Sequence, residues 1–176
     1  MTQGHDIDLD GVRLELTVGD IVRQPDMEAV VNAANAELAP GGGVAGAIHR
    51  AAGPELVREC RPLAPIRPGQ AVVTSGHALP NPWVVHVLGP VYGRDEPSDT
   101  ILDEAYRNAL RAAAAKGITS IAFPAISTGA FGFPMAPAAE IALAALAEEA
   151  PRQPPIRHLR FVLVSERDLQ SHEKAL

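Results

Sequence analysis

Several features that would place a chain in a familiar class are missing from this sequence. A single cysteine, Cys60, leaves no partner for an internal disulfide, and without a second cysteine nearby a zinc cluster is not expected. No uncharged apolar run approaches the roughly 18 residues needed to span a bilayer. The first residues, MTQGHDIDLD, have neither the basic flank nor the apolar stretch of a secretory signal. We therefore expect a cytoplasmic protein that binds no metal ion and no membrane.

Positive charge is also scarce. The chain carries 15 Lys and Arg against 21 Asp and Glu, a net charge of −6, and no basic cluster interrupts the acidic background. Because a nucleic-acid-binding surface has the opposite charge, nucleic acid is not an expected partner. If the protein binds a phosphate, backbone amides must supply most of the contacts.

What the sequence does contain is an alternation of strand-like and helix-like segments, within a length of 176 residues that suits one domain, 1–176. Alternating patterns and short apolar runs predict strands at 12–18, 29–32, 71–75, 84–88, 120–123 and 158–164. Apolar stripes at helical spacing predict helices at 44–60, 98–116, 136–149 and 166–176. This interleaving is typical of an α/β fold built as a three-layer α/β/α sandwich, in which ligands bind at the carboxyl ends of the strands.

The segment NAANAELAPGGGVAGAIHR, residues 32–50, connects a predicted strand to a predicted helix at that edge. Gly41, Gly42 and Gly43 have no Cβ, so a ligand can approach the backbone closely, and the following helix N-terminus favours negative charge. The segment is neither a phosphate-binding GK[ST] loop nor a true GxGxxG dinucleotide motif. Taken alone, it is as consistent with a plain loop as with a ligand site.

A second glycine-containing loop, FPAISTGAFGFP at 123–134, also follows a predicted strand and precedes a predicted helix. Its Ser127 and Thr128 can donate hydrogen bonds, and Phe131 lies between Gly129 and Gly132. Two such loops on one edge can enclose an extended anionic ligand such as a pyrophosphate.

Four motifs together resemble the macrodomain family of ADP-ribose-binding modules: VGDI at 18–21, VNAANAELAPGGGVAGAIHRAAG at 31–53, WVVHVLGPVY at 83–92 and PAISTGAFGFP at 124–134. They occur in the family's order and cover most of the chain. The resemblance implies a mixed, mainly parallel six-stranded sheet between helices, with ADP-ribose lying across its carboxyl edge. It implies that no cofactor is needed and that the partners are ADP-ribose and mono-ADP-ribosylated proteins.

The resemblance also assigns roles to residues. The Asp20 carboxylate would accept a hydrogen bond from the adenine amino group and the Ile21 amide would meet a ring nitrogen, although Asp20 could instead cap a local turn. Asn35 would bind the distal ribose, while Asn32 would more readily hold the loop through backbone contacts. The remaining ligand-binding positions are Gly41, Gly42, Gly43, Val44, Ser127, Thr128, Gly129, Ala130, Phe131 and Gly132. Of all these residues, Asn35, Gly43, Phe131 and Gly132 are the candidate catalytic ones.

Two departures from the family pattern bear on function. One hydrolytic branch has an aspartate where this chain has Ala45, so a mechanism that needs that carboxylate is excluded. Many relatives place an aromatic residue against the adenine near the last strand, whereas here Leu169 or Arg167 would have to cover the ring. We expect a hydrolase that removes mono-ADP-ribose from acidic side chains or deacetylates O-acetyl-ADP-ribose. A non-catalytic ADP-ribose reader, an ADP-ribose 1″-phosphate phosphatase and, more distantly, a dinucleotide-binding oxidoreductase are the alternatives.

Overall fold

A computed structural model describes residues 5–176, which form a seven-stranded sheet between two layers of helices. The strands are β1 His5–Leu9, β2 Val12–Val18, β3 Ala29–Ala33, β4 Ala71–Ser75, β5 Trp83–Val87, β6 Ser120–Phe123 and β7 His158–Leu163. The helices are α1 Gly43–Ala52, α2 Pro54–Cys60, α3 Ser98–Ala115, α4 Met135–Glu149 and α5 Glu166–Lys174. Across the described residues, none of these helices combines the length and the apolar character needed to cross a membrane.

The strand order is β1-β2-β7-β6-β3-β5-β4. The pairs β2–β7, β7–β6, β6–β3 and β3–β5 are parallel, whereas β1 and β4 pair antiparallel with β2 and β5 at the two edges. The predicted mixed, mainly parallel sheet is confirmed. The carboxyl ends of β2, β7, β6, β3 and β5 consequently lie along one edge.

Each face of the sheet has its own apolar core. The first core lies between the sheet and the layer of α3, α4 and α5, and it contains Phe123, Phe161 and Tyr106. The second core lies between the sheet and α1 with α2, and it contains Val30, Ile48 and Leu56. The α/β/α sandwich predicted from the sequence is therefore confirmed.

The sheet has one strand more than the six that were expected. The additional strand, β1, is formed by HDIDL, whose acidic residues obscure its apolar positions in the sequence. Of the residues of β1, only Ile7 and Leu9 pack against the first core. An edge strand with one exposed face needs few apolar residues, so its pattern is weak.

The helix predicted at 44–60 is divided into α1 and α2 at Gly53. Gly53 has φ +87°, a left-handed conformation that ends α1, and Pro54 then begins α2. A residue that precedes proline avoids the helical region, which is the physical reason that one helix cannot continue through this point. The other predicted helices and strands agree with the structure within a few residues at their ends.

Candidate functional site

A cavity of about 300 Å³ opens at the carboxyl edge of the sheet, between the loop after β3 and the loop after β6. It is lined by Ala33, Ala34, Asn35, Gly41, Gly42, Gly43, Val44, Ala45, Gly89, Ala125, Ile126, Ser127, Gly129, Ala130 and Phe131. The two loops that the sequence predicted to meet across this edge do meet. No lining residue carries a formal charge, so the groups available to an anion in this cavity are backbone and side-chain dipoles.

The glycine-rich loop lies directly against helix α1. A Cβ added at Gly46 would come within 2.3 Å of the Gly41 carbonyl oxygen, so only glycine permits this approach of loop and helix. Gly42 occupies the N-cap of α1 and contributes no side-chain cap. Gly43 and Val44, the first residues of α1, line the cavity, and their amides have no side-chain acceptor among the described residues, which is the arrangement that favours a bound anion.

Asn35 fastens the turn that leads into this loop. Its Nδ2 donates to the Ala39 carbonyl oxygen at 2.8 Å, and its Oδ1 accepts from the Ala39 amide at 2.9 Å. The second hydrogen of Nδ2 and the second lone pair of Oδ1 are left for other partners. Asn35 thus shapes the loop, and it lines the cavity with one N–H and one lone pair unused.

Asn32 does not hold the loop, and the prediction that it bonds backbone there is wrong. It lies in β3, is 1% exposed, and its Nδ2 contacts His86 Nδ1 at 3.1 Å. His86 is also bonded through Nε2 to the Thr74 hydroxyl at 2.9 Å, and burial lowers its pKa to about 3. Because the side chain of Asn32 is packed inside the sheet, it does not line the cavity. His86 is therefore a buried residue with a structural role, bonded to Asn32 and Thr74.

A buried tyrosine of α3, Tyr106, holds the loop that follows β6. The Tyr106 hydroxyl, fully buried on α3, accepts a hydrogen bond from the Ile126 amide at 3.0 Å. Burial raises the pKa of this phenol, so it stays neutral. The Thr128 hydroxyl donates to the Ala125 carbonyl at 2.9 Å, and the Phe133 amide donates to the Ser127 carbonyl at 2.9 Å. These bonds close the loop on itself.

Two residues of this loop, Ser127 and Gly132, have φ angles in the left-handed region. Gly132 has φ +76° and its amide donates to the Gly129 carbonyl at 3.0 Å, which makes the tight turn beside Phe131. Ser127 has φ +67°, a left-handed conformation that is uncommon for a residue with a side chain and that often marks a functional site. Thr128 and Gly132 support the loop but do not line the cavity.

Many hydrogen-bond donors in the two loops beside the cavity have no acceptor in the described part of the protein. Within residues 5–176, no acceptor is bonded to the backbone N–H groups of Gly41, Gly42, Gly43, Val44, Ser127, Thr128, Gly129, Ala130 and Phe131. The Ser127 hydroxyl is buried and has no partner among the described residues. Buried donors are normally satisfied, so the buried Ser127 hydroxyl lacks the partner that a ligand acceptor would supply. The amides beside it, several of them on exposed glycines, are free to donate to an oxygen-rich anion.

Sequence reasoning missed several residues of the site. Gly89 follows β5 at the same edge, and a Cβ there would come within 2.2 Å of Ser127 Oγ and 2.5 Å of Ile126 Cγ2. Its GP dipeptide at the end of an apolar strand was the available signal. Ala33, Ala34, Ala125 and Ile126 also line the cavity, but apolar residues beside buried strands read as core residues in a sequence.

Asp20 and Ile21 lie outside the cavity, in the turn that follows β2. The Gly19 amide donates to the Leu163 carbonyl at 2.9 Å, which fixes this turn beside the end of β7. Asp20 Oδ1 accepts from the Val22 amide at 3.1 Å, so the turn-capping role is present, while the side chain is 53% exposed. Three strand spacings of about 4.8 Å each separate β2 from β3, so the edge spans about 14 Å from the turn to the glycine-rich loop.

The sequence left Leu169 and Arg167 as the two side chains that would cover a ligand ring beside this turn, and their exposure distinguishes them. Leu169 is 2% exposed and packs in the first core, so it does not cover a ligand here. Arg167 is exposed. Val164, which follows β7 directly and was not considered as a cover for the ring from the sequence, is 80% exposed.

The chemistry available in the cavity is limited to amides and one hydroxyl. No carboxylate, imidazole or thiol lines it, and Ala45 is an apolar part of its wall. In the part of the chain that the structure describes, no group of three or more His, Cys, Asp or Glu residues can hold a metal ion. Cys60 is buried next to His86, and burial raises its thiol pKa to about 11, so it is not a nucleophile at neutral pH.

The Macro domain family model matches residues 31–142, which include both loops. The chain is a macrodomain. An O-acetyl-ADP-ribose deacetylase of Enterobacter sp. (strain 638) is 43% identical to this macrodomain over 169 residues, which cover 93% of each chain.

Solved structures agree with this assignment. The Oceanobacillus iheyensis macrodomain with ADP superposes with a TM-score of 0.94 at 35% identity, covering 99% of this chain and 95% of the other. The Trypanosoma brucei macrodomain in complex with ADP-ribose has a TM-score of 0.85 at 36% identity and covers 92% of this chain and 68% of the other. The fold and the family of this macrodomain are therefore established.

Proposed function

We propose that this macrodomain binds ADP-ribose and hydrolyses ester bonds to its distal ribose. The substrates would be mono-ADP-ribose attached to acidic side chains of proteins, or O-acetyl-ADP-ribose. Support comes from the name of the Enterobacter relative and from the ligand of the Trypanosoma structure. The observation that carries the proposal is a neutral cavity lined by two loops, in which many backbone amides have no acceptor within residues 5–176.

In this proposal the ligand lies along the carboxyl edge with its diphosphate between the two loops. The amides of Gly43 and of the loop that holds Ser127 would donate to the phosphate oxygens, and the Ser127 hydroxyl would gain the acceptor that it lacks. Each hydrogen bond from a neutral donor to a charged phosphate is stronger than one between neutral groups. The acidic protein would thereby bind an anion without a basic side chain.

The two sugars and the base would occupy the ends of the edge. Asn35 would use its remaining N–H and lone pair on the distal ribose hydroxyls. Phe131, which packs against the second core, would set the angle of that ribose, and Gly132 would maintain the turn that presents Phe131. At the other end the exposed oxygen of Asp20 would accept from the adenine amino group, and the Ile21 amide would meet a ring nitrogen. The exposed Val164 side chain would lie against the ring.

The chemical step would be ester hydrolysis assisted by the substrate. A water molecule oriented by a ligand phosphate oxygen would add to the acyl carbon, and the bond from that carbon to the ribose oxygen would break. The ribose oxygen takes one proton, and the products are ADP-ribose, a carboxylate and a released proton. Because no side chain that lines the cavity can act as a base, positioning would provide most of the acceleration, worth several kcal/mol.

The test is to measure three reactions side by side with the purified protein: release of ADP-ribose from a glutamate-linked mono-ADP-ribosylated protein, deacetylation of O-acetyl-ADP-ribose, and dephosphorylation of ADP-ribose 1″-phosphate. Asn35→Ala and Gly42→Val serve as controls. Gly42 lines the cavity and a Cβ there meets no atom within 4 Å, so we expect valine to narrow the cavity at little cost to the fold, which urea denaturation of the variant checks. We expect turnover of at least one ester by the unaltered protein and little by Gly42→Val.

A non-catalytic reader is the second candidate, and the apolar Ala45 in the cavity wall favours it. Binding of ADP-ribose without turnover of any of the three substrates would establish the reader instead of the hydrolase. Turnover of the phosphate ester alone would establish a phosphatase. Absence of ADP-ribose binding in calorimetry would refute the proposed ligand itself.

A further inference from the structure

Arg160 of β7 is the centre of an ionic cluster that connects β7 to β2 and to the segment between β2 and β3. Its guanidinium makes a two-pronged contact with Asp26, with Nη1–Oδ1 at 2.8 Å and Nη2–Oδ2 at 2.7 Å. Its Nη2 also donates to Glu15 Oε1 at 3.0 Å. The Arg160 side chain is only 13% exposed, so these charge-assisted bonds are partly shielded from water.

A chain of hydrogen bonds leads from this guanidinium to Asp20. Arg160 Nη1 donates to Gln24 Oε1 at 3.0 Å, and Gln24 Nε2 donates to the Asp20 carbonyl oxygen at 2.9 Å. Gln24 is 8% exposed, so water competes little for its amide. The primary amide has one defined orientation here, because its oxygen meets a cation and its nitrogen meets a carbonyl.

The turn depends on this support because it belongs to no helix or strand. Residues 19–28 form only bends and turns between β2 and β3. Asn81 Nδ2 holds the later part of the segment by donating to the Gln24 and Met27 carbonyls at 2.7 and 2.8 Å. The earlier part, with Asp20, is tied to the sheet by the Gly19 amide and by the chain from Arg160.

The Arg160–Asp26 pair is present across the physiological pH range. Arg160 lowers the pKa of the Asp26 carboxyl to about 2, mainly through the hydrogen bonds between them. Removal of Arg160 would leave Gln24 without its cation and Asp26 without its partner. The Asp20 carbonyl would keep its bond from the Arg23 amide at 3.0 Å, which lies within the turn, but the Gln24 donor that connects it to β7 would no longer be held in place by Arg160.

We propose that Arg160 is a positioning residue for base selectivity, which holds the Asp20 turn through Gln24 so that the turn distinguishes adenine from other bases. This inference depends on the proposed function, because the base of ADP-ribose is placed at that turn. Arg160 touches no part of the ligand in this arrangement. Its effect is on recognition of the base, not on the diphosphate or the distal ribose, which are bound by loops at the other end of the edge.

The experiment compares affinity for ADP-ribose with affinity for its inosine analogue, in which a carbonyl replaces the adenine amino group. The variants are Arg160→Gln and Gln24→Glu, since glutamate keeps acceptor oxygens for Arg160 but loses the N–H donor to Asp20. Arg13→Gln is the matched control. Arg13, on β2, contacts Asp6 of β1 at 3.0 Å and Glu15 of its own strand at 3.7 Å, and it makes no hydrogen bond to residues 19–28.

We expect the ratio of the two affinities to fall about tenfold in Arg160→Gln and in Gln24→Glu, the effect of losing one well-placed hydrogen bond to the base. Arg13→Gln should leave the ratio within about twofold, the usual effect of breaking an exposed ion pair. An unchanged ratio in Arg160→Gln, or an equal fall in Arg13→Gln, would overturn the inference while ADP-ribose binding itself stands. Failure of the unaltered protein to bind ADP-ribose would instead remove the proposed function and this inference with it.

Discussion

Replacing Gly89 with alanine tests how closely the end of β5 approaches the loop that holds Ser127. The added Cβ would lie 2.2 Å from Ser127 Oγ and 2.5 Å from Ile126 Cγ2, distances that real carbon atoms do not adopt. Either Gly89 or the loop must move. The loop cannot move freely, because the Ile126 amide is bonded to the buried Tyr106 hydroxyl at 3.0 Å.

The expected cost follows from this geometry. Inserting a methyl group into a well-packed site costs about 1–3 kcal/mol. Ser127 Oγ can rotate away, which relieves the shorter contact, but Ile126 Cγ2 belongs to a side chain buried in the first core. We therefore expect Gly89→Ala to lower the free energy of unfolding by about 1–3 kcal/mol. ADP-ribose affinity should fall about tenfold or more, because the displaced amides no longer converge.

Gly42→Ala is the matched control, since Gly42 lines the same cavity but a Cβ there meets nothing within 4 Å. Gly42 has φ −90°, which alanine adopts readily, so this variant should be as stable as the parent or more stable by about 0.4–1 kcal/mol. Urea denaturation measures both free energies of unfolding, and calorimetry measures the affinities. Equal stability of the two variants, with unchanged affinity in Gly89→Ala, would refute the packing argument.

Two further predictions concern buried groups of the second core. Burial lowers the pKa of His86 to about 3, so the unfolded chain binds a proton that the folded chain does not, and the free energy of unfolding should fall as the pH drops from about 6.5 toward 3. In His86→Asn part of this pH dependence should be absent, and identical slopes in denaturation curves across that range would contradict the prediction. Cys60 is 1% exposed and its thiol pKa is raised to about 11, so iodoacetamide at mildly alkaline pH should alkylate it only after urea unfolds the protein. Mass spectrometry would detect the adduct, and rapid labelling of the native protein would show that the thiol is accessible.

Much of the fold and part of the site could be predicted from the sequence because their signals are local. The strands at Val12–Val18 and Ala71–Ser75 have the predicted bounds, since alternation and short apolar runs are recorded in neighbouring residues. The two glycine-containing loops were also recognisable, because each follows an apolar strand and precedes a helix. The family resemblance extended this to particular residues, and Asn35 and Phe131 do line the cavity.

Other features were wrong or missing because they depend on contacts between distant segments. The loop-holding role was assigned to Asn32, yet Asn35 makes those bonds while Asn32 reaches His86, which is 54 positions away in the sequence. Both are asparagines in one NAAN motif, and only their places on β3 and on the turn after it separate their roles. The break at Gly53 was visible as a GP dipeptide but was outweighed by the apolar stripe on both sides.

The sequence by itself determined the alternation of elements, the acidic charge and the glycines that free the backbone amides of two loops, since these are properties of short segments. Only the tertiary structure decided which amides remain unpaired, why Gly46 and Gly89 must lack a side chain, and that Arg160 reaches Gln24 across 136 positions of the chain. The physical reason is that hydrogen bonding and close packing depend on distances in space. The order of strands in the sheet sets those distances, and no local pattern records them.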